Sequence, residues 1–354
     1  MPRQFAFRVV SVAIAFLTAI TALEVALHIH YYFSTRQWLF RDNSNFKVPY
    51  VKAVGDRRQY ALRENFKDDM QSINALGFRG AIPPHNEDPL ICVLGDSVPY
   101  GAGVKDDETF PHHLQALLDK SGYRARVLNA GVPSYNLRQS LDRWRFDVLP
   151  RWTCTVIILN AANDVSLLDY FGEQWSPDLT WAELRFGARA SRWSSIAYYA
   201  LAANTAVRYR GSNTANEPNQ FAILERELLG GLAGARARRI PVVLMPINPC
   251  YYSNVSLSHP SNREPCANYG DYGVVGEKWQ HLIVAVNDIL KKTTSQGDIS
   301  FIDAIVAFDT KFKREGKYID FIHFSSNGAR DVAGLLMEHM AQKGLLSRGT
   351  SASP

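Results

Sequence analysis

From about residue 90 the chain alternates short, continuous apolar runs with longer stretches in which apolar residues recur every third or fourth position. The runs fall at residues 91–94, 125–128, 156–159, 242–245 and 299–302. Each is too short for a helix and, Arg126 and Ser300 apart, apolar throughout, so each predicts a strand covered on both faces. Between them, Phe110, Leu114, Leu117 and Leu118 share one helical face. So do Phe221, Leu224, Leu228 and Leu232, and again Trp279, Leu282, Val286 and Leu290. Strands alternating with amphipathic helices predict a three-layer α/β domain built on a five-stranded parallel sheet. In such a sheet, ligands sit beyond the carboxyl ends of the strands.

Other parts of the chain depart from this rhythm. Val9 to Leu23 is a stretch of fifteen residues without a charge; Glu24 interrupts it, and apolar residues then continue toward Phe33. About 20 residues span a bilayer as a helix, so residues 1–33 are expected to form a single transmembrane signal anchor. Arg3 and Arg8 on its flank hold the N-terminus in the cytoplasm, and Tyr31, Tyr32 and Phe33 suit the opposite interface. Small residues are poorly placed for cleavage, so the anchor should be retained, with the rest of the chain extracytoplasmic, on the periplasmic side. Residues 34–86 are mixed and polar, as a juxtamembrane extension lying on the main domain would be. The main domain is expected over 87–345. It carries an insertion at about 165–218 that is rich in aromatics, including Trp175, Trp181, Trp193 and Tyr199. These rings suit packing of the insertion onto the domain better than stacking on sugars. Residues 346–354 form a small, polar, frayed tail.

Composition narrows the function. Hydrophobic residues make up 46% and charged residues 21%, which is a globular balance. The net charge is only +5, with Lys and Arg scattered along the chain, so a nucleic-acid partner is not expected. Four cysteines are too few for a disulfide scaffold. Cys250 and Cys266 flank a polar, aperiodic segment and are expected to form a disulfide, which would stabilise by about 3 kcal/mol through loop closure. Cys92 and Cys154 lie in or beside apolar runs and read as buried thiols. No cysteine has zinc-site spacing with a histidine, and the His112–His113 rings diverge on a helix, so no metal or other cofactor is expected.

The chemistry-bearing residues fall at the predicted strand ends. The first strand runs into Gly95-Asp96-Ser97, which places a hydroxyl at the sheet edge. The second runs into Asn129-Ala130-Gly131, where a backbone N–H can approach a ligand closely. The third runs into Ala161-Ala162-Asn163-Asp164. Near the C-terminus, Asp320 precedes His323 by three residues, just before a helix. A hydroxyl, an imidazole with an acid to orient it and two further donors are what acyl transfer requires.

Taken in order, these four blocks resemble those of the SGNH hydrolases, the GDSL esterase and lipase superfamily. The resemblance covers roughly residues 87–345. It extends upstream to Asn74-Ala75-Leu76-Gly77-Phe78-Arg79-Gly80, which is similar to the lead-in of membrane-anchored bacterial members. It implies a flavodoxin-like sheet of strand order 2-1-3-4-5, with Ser97 as nucleophile, His323 as base and Asp320 as its partner. It also implies an oxyanion hole made by the N–H groups of Ser97 and Gly131 and the Asn163 side chain. Two positions depart from the family pattern: Ala161 stands where glycine is usual, and Val98 where leucine is usual. No Gly-x-Ser-x-Gly elbow surrounds Ser97, so an α/β-hydrolase fold is not supported.

The expected activity is ester hydrolysis through an acyl-enzyme, on small O-acyl groups such as acetyl on carbohydrate. Two alternatives remain open: an O-acyltransferase of envelope or extracellular polysaccharide using the same residues, and a non-catalytic carbohydrate-binding or assembly protein. A flavin-binding module lacks a phosphate-cradling loop after the first strand.

Overall fold

The structure is a computed structural model. It describes residues 2–35, 49–83, 88–172, 175–180, 194–197, 199–200, 217–248, 250, 277–296, 298–313, 315–320 and 322–348. Most of the aromatic insertion and the end of the C-terminal tail lie outside the described residues.

Five parallel strands form the centre: β3 (Leu90–Leu94), β4 (Arg126–Asn129), β5 (Cys154–Leu159), β6 (Val242–Leu244) and β7 (Ile299–Phe301). They lie in the order β4-β3-β5-β6-β7, which is 2-1-3-4-5 when counted within the sheet. All five coincide with the continuous apolar runs. Every residue of β3 and β6 is buried, as strands covered on both faces must be.

The helices fall into two packed groups. On one side α3 (Phe110–Lys120) packs against α8 (Ser326–Gln342). On the other, α4 (Leu137–Arg143) meets α6 (Glu217–Ala237), while α7 (Glu277–Lys292) touches both α6 and α5 (Ala162–Phe171). Their apolar faces supply Phe110, Leu114, Leu224, Leu228, Leu232, Leu282, Val286, Val332 and Leu336 to a single core shared with the sheet.

The strand register sets the place of the site. Val93 lies opposite Asn129, and Leu94 opposite Leu159. The pairing carries on past the strand ends: Ala130 N–H donates to the Val93 carbonyl, and Val132 N–H to that of Gly95. Three loops therefore leave the sheet side by side.

Two features differ from the sequence reading. The polar stretch before the domain contains a small antiparallel sheet, β1 (Val51–Ala53) with β2 (Tyr60–Leu62). Three-residue strands are too short to leave a period. The second difference corrects the reading of Cys92 and Cys154 as buried thiols, because they form a disulfide across β3 and β5. They are far apart in sequence, but β5 is laid directly beside β3, which brings their Cα atoms to 5.7 Å. Cys250 is also disulfide-bonded. Its expected partner, Cys266, lies outside the described residues.

Helix α1 (Pro2–Thr35) contains a 24-residue apolar span, Val10–Phe33, long enough to cross a membrane. Val12, Ile14, Phe16 and Leu17 are all exposed along it. Near its far end, the Glu24 carboxylate accepts the N–H groups of Ser195 and Ile196 and the Ser194 hydroxyl, and the Ser195 hydroxyl donates to the Glu24 carbonyl. The helix is thereby tied to a segment about 170 residues away.

Candidate active site

Ser97 is held by the turn that ends β3. Gly95 has φ +135°, and a Cβ there would come within 2.7 Å of Pro99 and 2.9 Å of the Asn160 carbonyl, so the turn closes only around glycine. Asp96 caps the short helix α2 (Ser97–Tyr100) by accepting the Val98 N–H at 2.9 Å, and Gly101, at φ +88°, ends that helix. Ser97 therefore stands at the first position of a one-turn helix on the carboxyl edge of the sheet.

His323 arrives from the other end of the chain. Its backbone carbonyl accepts the Ile319 N–H, and Tyr318 bridges to Phe324, which makes a tight loop. Phe308, Tyr318 and Phe324 stack beneath that loop with ring centroids 5.2–5.8 Å apart. Asp320 Oδ1 accepts the N–H groups of Ile322 and His323, and its Oδ2 lies 2.5 Å from His323 Nδ1. Burial alone would raise the Asp320 carboxyl. The His323 hydrogen bond and charge, with the two backbone N–H groups, outweigh it and hold the carboxyl below its ordinary value. An ionised carboxylate only accepts, so Nδ1 carries the proton and Nε2 is left as an acceptor. Nε2 lies 2.7 Å from Ser97 Oγ. The three side chains thus form one relay from carboxylate through imidazole to hydroxyl.

Two other expected residues lie close by, with different surroundings. Asn163 sits in the first turn of α5, and its backbone N–H donates to Asp96 Oδ2 at 3.2 Å. Gly131 follows β4, but its N–H is donated to Asn129 Oδ1 at 3.1 Å, where the sequence reading had it free for a ligand. A backbone does approach Gly131 closely, and it is the protein's own: a Cβ would lie 2.4 Å from the Tyr100 amide nitrogen. Three residues on, Ser134 takes the left-handed conformation at φ +65°.

Sequence reasoning passed over the groups that frame the site. Asp164 is buried and accepts the Leu137 N–H at 2.7 Å; burial, with the neighbouring Asp96 charge adding to it, pushes its carboxyl up to about 8. Asp96 is likewise buried and its carboxyl raised, chiefly by desolvation. Both acids stand beside residues singled out in their blocks, and that adjacency was the available signal. Of two buried arginines, Arg79 lies within the lead-in already singled out, and Arg143 carries no such signal. Arg79 donates to the carbonyls of Met70, Tyr100, Gly101 and Val104 and pairs with Asp106. Arg143 donates to the carbonyls of Gly77 and Ala130 and pairs with Asp147. Together they tie the lead-in at residues 74–80 to the loops after β3 and β4. A small cleft of about 10 Å³ opens at Ser97 and His323, walled by Val98, Val104, Phe110, Phe324 and Ala329.

The sequence profile of the GDSL-like lipase/acylhydrolase family matches residues 93–330. No curated protein matches the chain. Among solved structures, a lipase/acylhydrolase from Enterococcus faecalis aligns over 74% of this chain and 100% of its own, at 17% identity and a TM-score of 0.46. A mutant of an acetyl-xylooligosaccharide esterase from Geobacillus aligns over 72% of this chain and 94% of its own, at 14% identity and a TM-score of 0.44.

Proposed function

The chain belongs to the GDSL-like lipase/acylhydrolase family and is an esterase of that family, and from that premise we propose a serine mechanism at Ser97. The observation that carries the reading is the continuous relay from Asp320 through His323 to Ser97. His323 Nε2 takes the hydroxyl proton as Ser97 Oγ attacks the ester carbonyl, and Asp320 holds the imidazole in the required tautomer. His323 then returns the proton to the leaving alcohol, and water, activated by the same nitrogen, releases the acid. The Ser97 N–H and the Asn163 side chain supply the donors for the oxyanion. Gly131, whose N–H is engaged by Asn129, contributes by letting the Tyr100 backbone approach.

The modest cleft beside the nucleophile supports a short acyl group, acetyl above all. The alcohol side of the ester is proposed to be carbohydrate outside the cytoplasm. Two things support a retained anchor: the basic flank at Arg3 and Arg8, and the bonds from Glu24 to residues 194–196, which a cleaved leader would not make.

Incubation with acetylated glycans and short-chain aryl esters tests the reading, with acyl groups followed to water and to carbohydrate. Ser97→Ala should fold normally, lose turnover and lose labelling by a fluorophosphonate probe. Asn163→Ala should cost about 3 kcal/mol, roughly a hundredfold in rate. Wild-type turnover in Ser97→Ala would overturn the mechanism.

A further inference from the structure

Asp96 has a second task besides capping α2. Its carboxylate is 1% exposed and uses both oxygens: Oδ1 accepts Val98 N–H at 2.9 Å, and Oδ2 accepts Asn163 N–H at 3.2 Å. These two partners lie on different loops. Regular pairing between β3 and β5 ends at Leu94 and Leu159. Beyond it, the backbone contact from Asn160 N–H to the Leu94 carbonyl is long, at 3.4 Å, and the Asn160 side chain turns back to its own loop at Ala162. The hydroxyl at 97 and the amide at 163 are thus set on two strand extensions that the sheet itself does not hold in register.

We infer that Asp96 is a positioning residue: by bridging the two loops, it fixes the Asn163 donor relative to the Ser97 nucleophile. This rests on the serine mechanism proposed above. The chemistry requires a carboxylate. Two N–H donors approach from opposite sides, and an acid offers an acceptor to each, whereas an amide would turn an NH₂ toward one of them. Preorganised donors matter because an oxyanion hole works only when its groups already stand where the charge will develop.

Asp96→Ser isolates the bridge. Serine is a good helix cap, so the Val98 N–H keeps an acceptor, but its hydroxyl is too short to reach Asn163. The variant should retain its thermal transition and its KM for a short-chain aryl ester while kcat falls about tenfold to a hundredfold, within the range for loss of an oxyanion donor. The decisive measurement is a double-mutant cycle with Asn163→Ala, which removes the side-chain amide and leaves the backbone N–H. If Asp96 acts through that amide, the double variant is no slower than Asn163→Ala alone. Multiplying losses, or a wild-type kcat in Asp96→Ser, would overturn the positioning role and leave the serine mechanism standing. A wild-type kcat in Asn163→Ala would overturn the Asn163 donor and with it the positioning role, while wild-type turnover in Ser97→Ala is the separate result that would overturn the serine mechanism. Should Asp96→Ser not fold, Asp96→Asn carries the same cycle, because its carbonyl oxygen can still cap Val98.

Discussion

Removal of the Cys92–Cys154 bridge offers a direct measure of what holds the sheet together. The two residues are 62 positions apart in sequence, and the covalent link prevents the unfolded chain from opening that loop. In the chain-entropy account a loop of this length contributes about 4 kcal/mol at 25 °C. Both cysteines are almost fully buried, so replacement by alanine also leaves unfilled volume and pushes the loss somewhat higher. Paired substitution is the right perturbation, because Cys250 is disulfide-bonded as well and a reductant would not act on the β3–β5 bridge alone. Equilibrium urea unfolding of Cys92→Ala/Cys154→Ala against the parent, followed by far-ultraviolet circular dichroism, should show the midpoint falling by an amount equivalent to about 4 kcal/mol. The native fold and ester turnover should survive, since the bridge contacts neither Ser97 nor His323. A change below about 1 kcal/mol would mean that the unfolded chain is already compact around β3 and β5, and the loop argument would fail.

Other expectations follow from buried groups around the site. Arg143→Met removes the donors to Ala130 and Gly77 and leaves two buried carbonyls short of partners, while Asp147 keeps its pair with Arg58; a loss of about 2–5 kcal/mol in chemical unfolding should follow, and a loss under 1 kcal/mol would contradict it. Gly131→Ala should be poorly tolerated although its backbone is unstrained, because the new methyl meets the Tyr100 backbone; unchanged melting and turnover would refute the close approach. For Asp164 the folded carboxyl titrates near 8, far above an unfolded aspartate. The native state therefore holds a proton that the unfolded state releases. The stability this group contributes is fully present below about pH 4 and is lost as pH rises through 8. Asp164→Asn should flatten the pH dependence of unfolding across that window; parallel profiles for the two proteins would refute the assignment.

The parts of the molecule that could be read from sequence are those with a local pattern. Short, largely apolar runs marked all five central strands, and the family resemblance, through the strand order it implies, placed Ser97 and Asn163 at neighbouring strand ends. His323 and Asp320 could be paired because three residues separate them and the geometry of one tight loop decides the rest. What escaped depends on which distant segments become neighbours. Cys92 and Cys154 meet because β5 is laid against β3 after the chain has passed through β4, a fact with no counterpart in the local sequence. Arg79 and Arg143 look like surface cations until the loops they tie are folded around them. Gly131 was recognised as a point of close approach, but what approaches it is the Tyr100 backbone.

The hydroxyl of Ser97 and the imidazole of His323 are 226 positions apart, so the nucleophile and its base enter the world at opposite ends of synthesis. A ribosome that has finished β3 through β7 has made every strand of the central sheet, yet Ser97 still has nothing to receive its proton. Premature termination anywhere before the loop at 320 leaves a chain without that imidazole and, where Ser97 is present, with an ordinary alcohol. Chemical competence is thus conferred in a single late step, and an incomplete chain is chemically silent by construction.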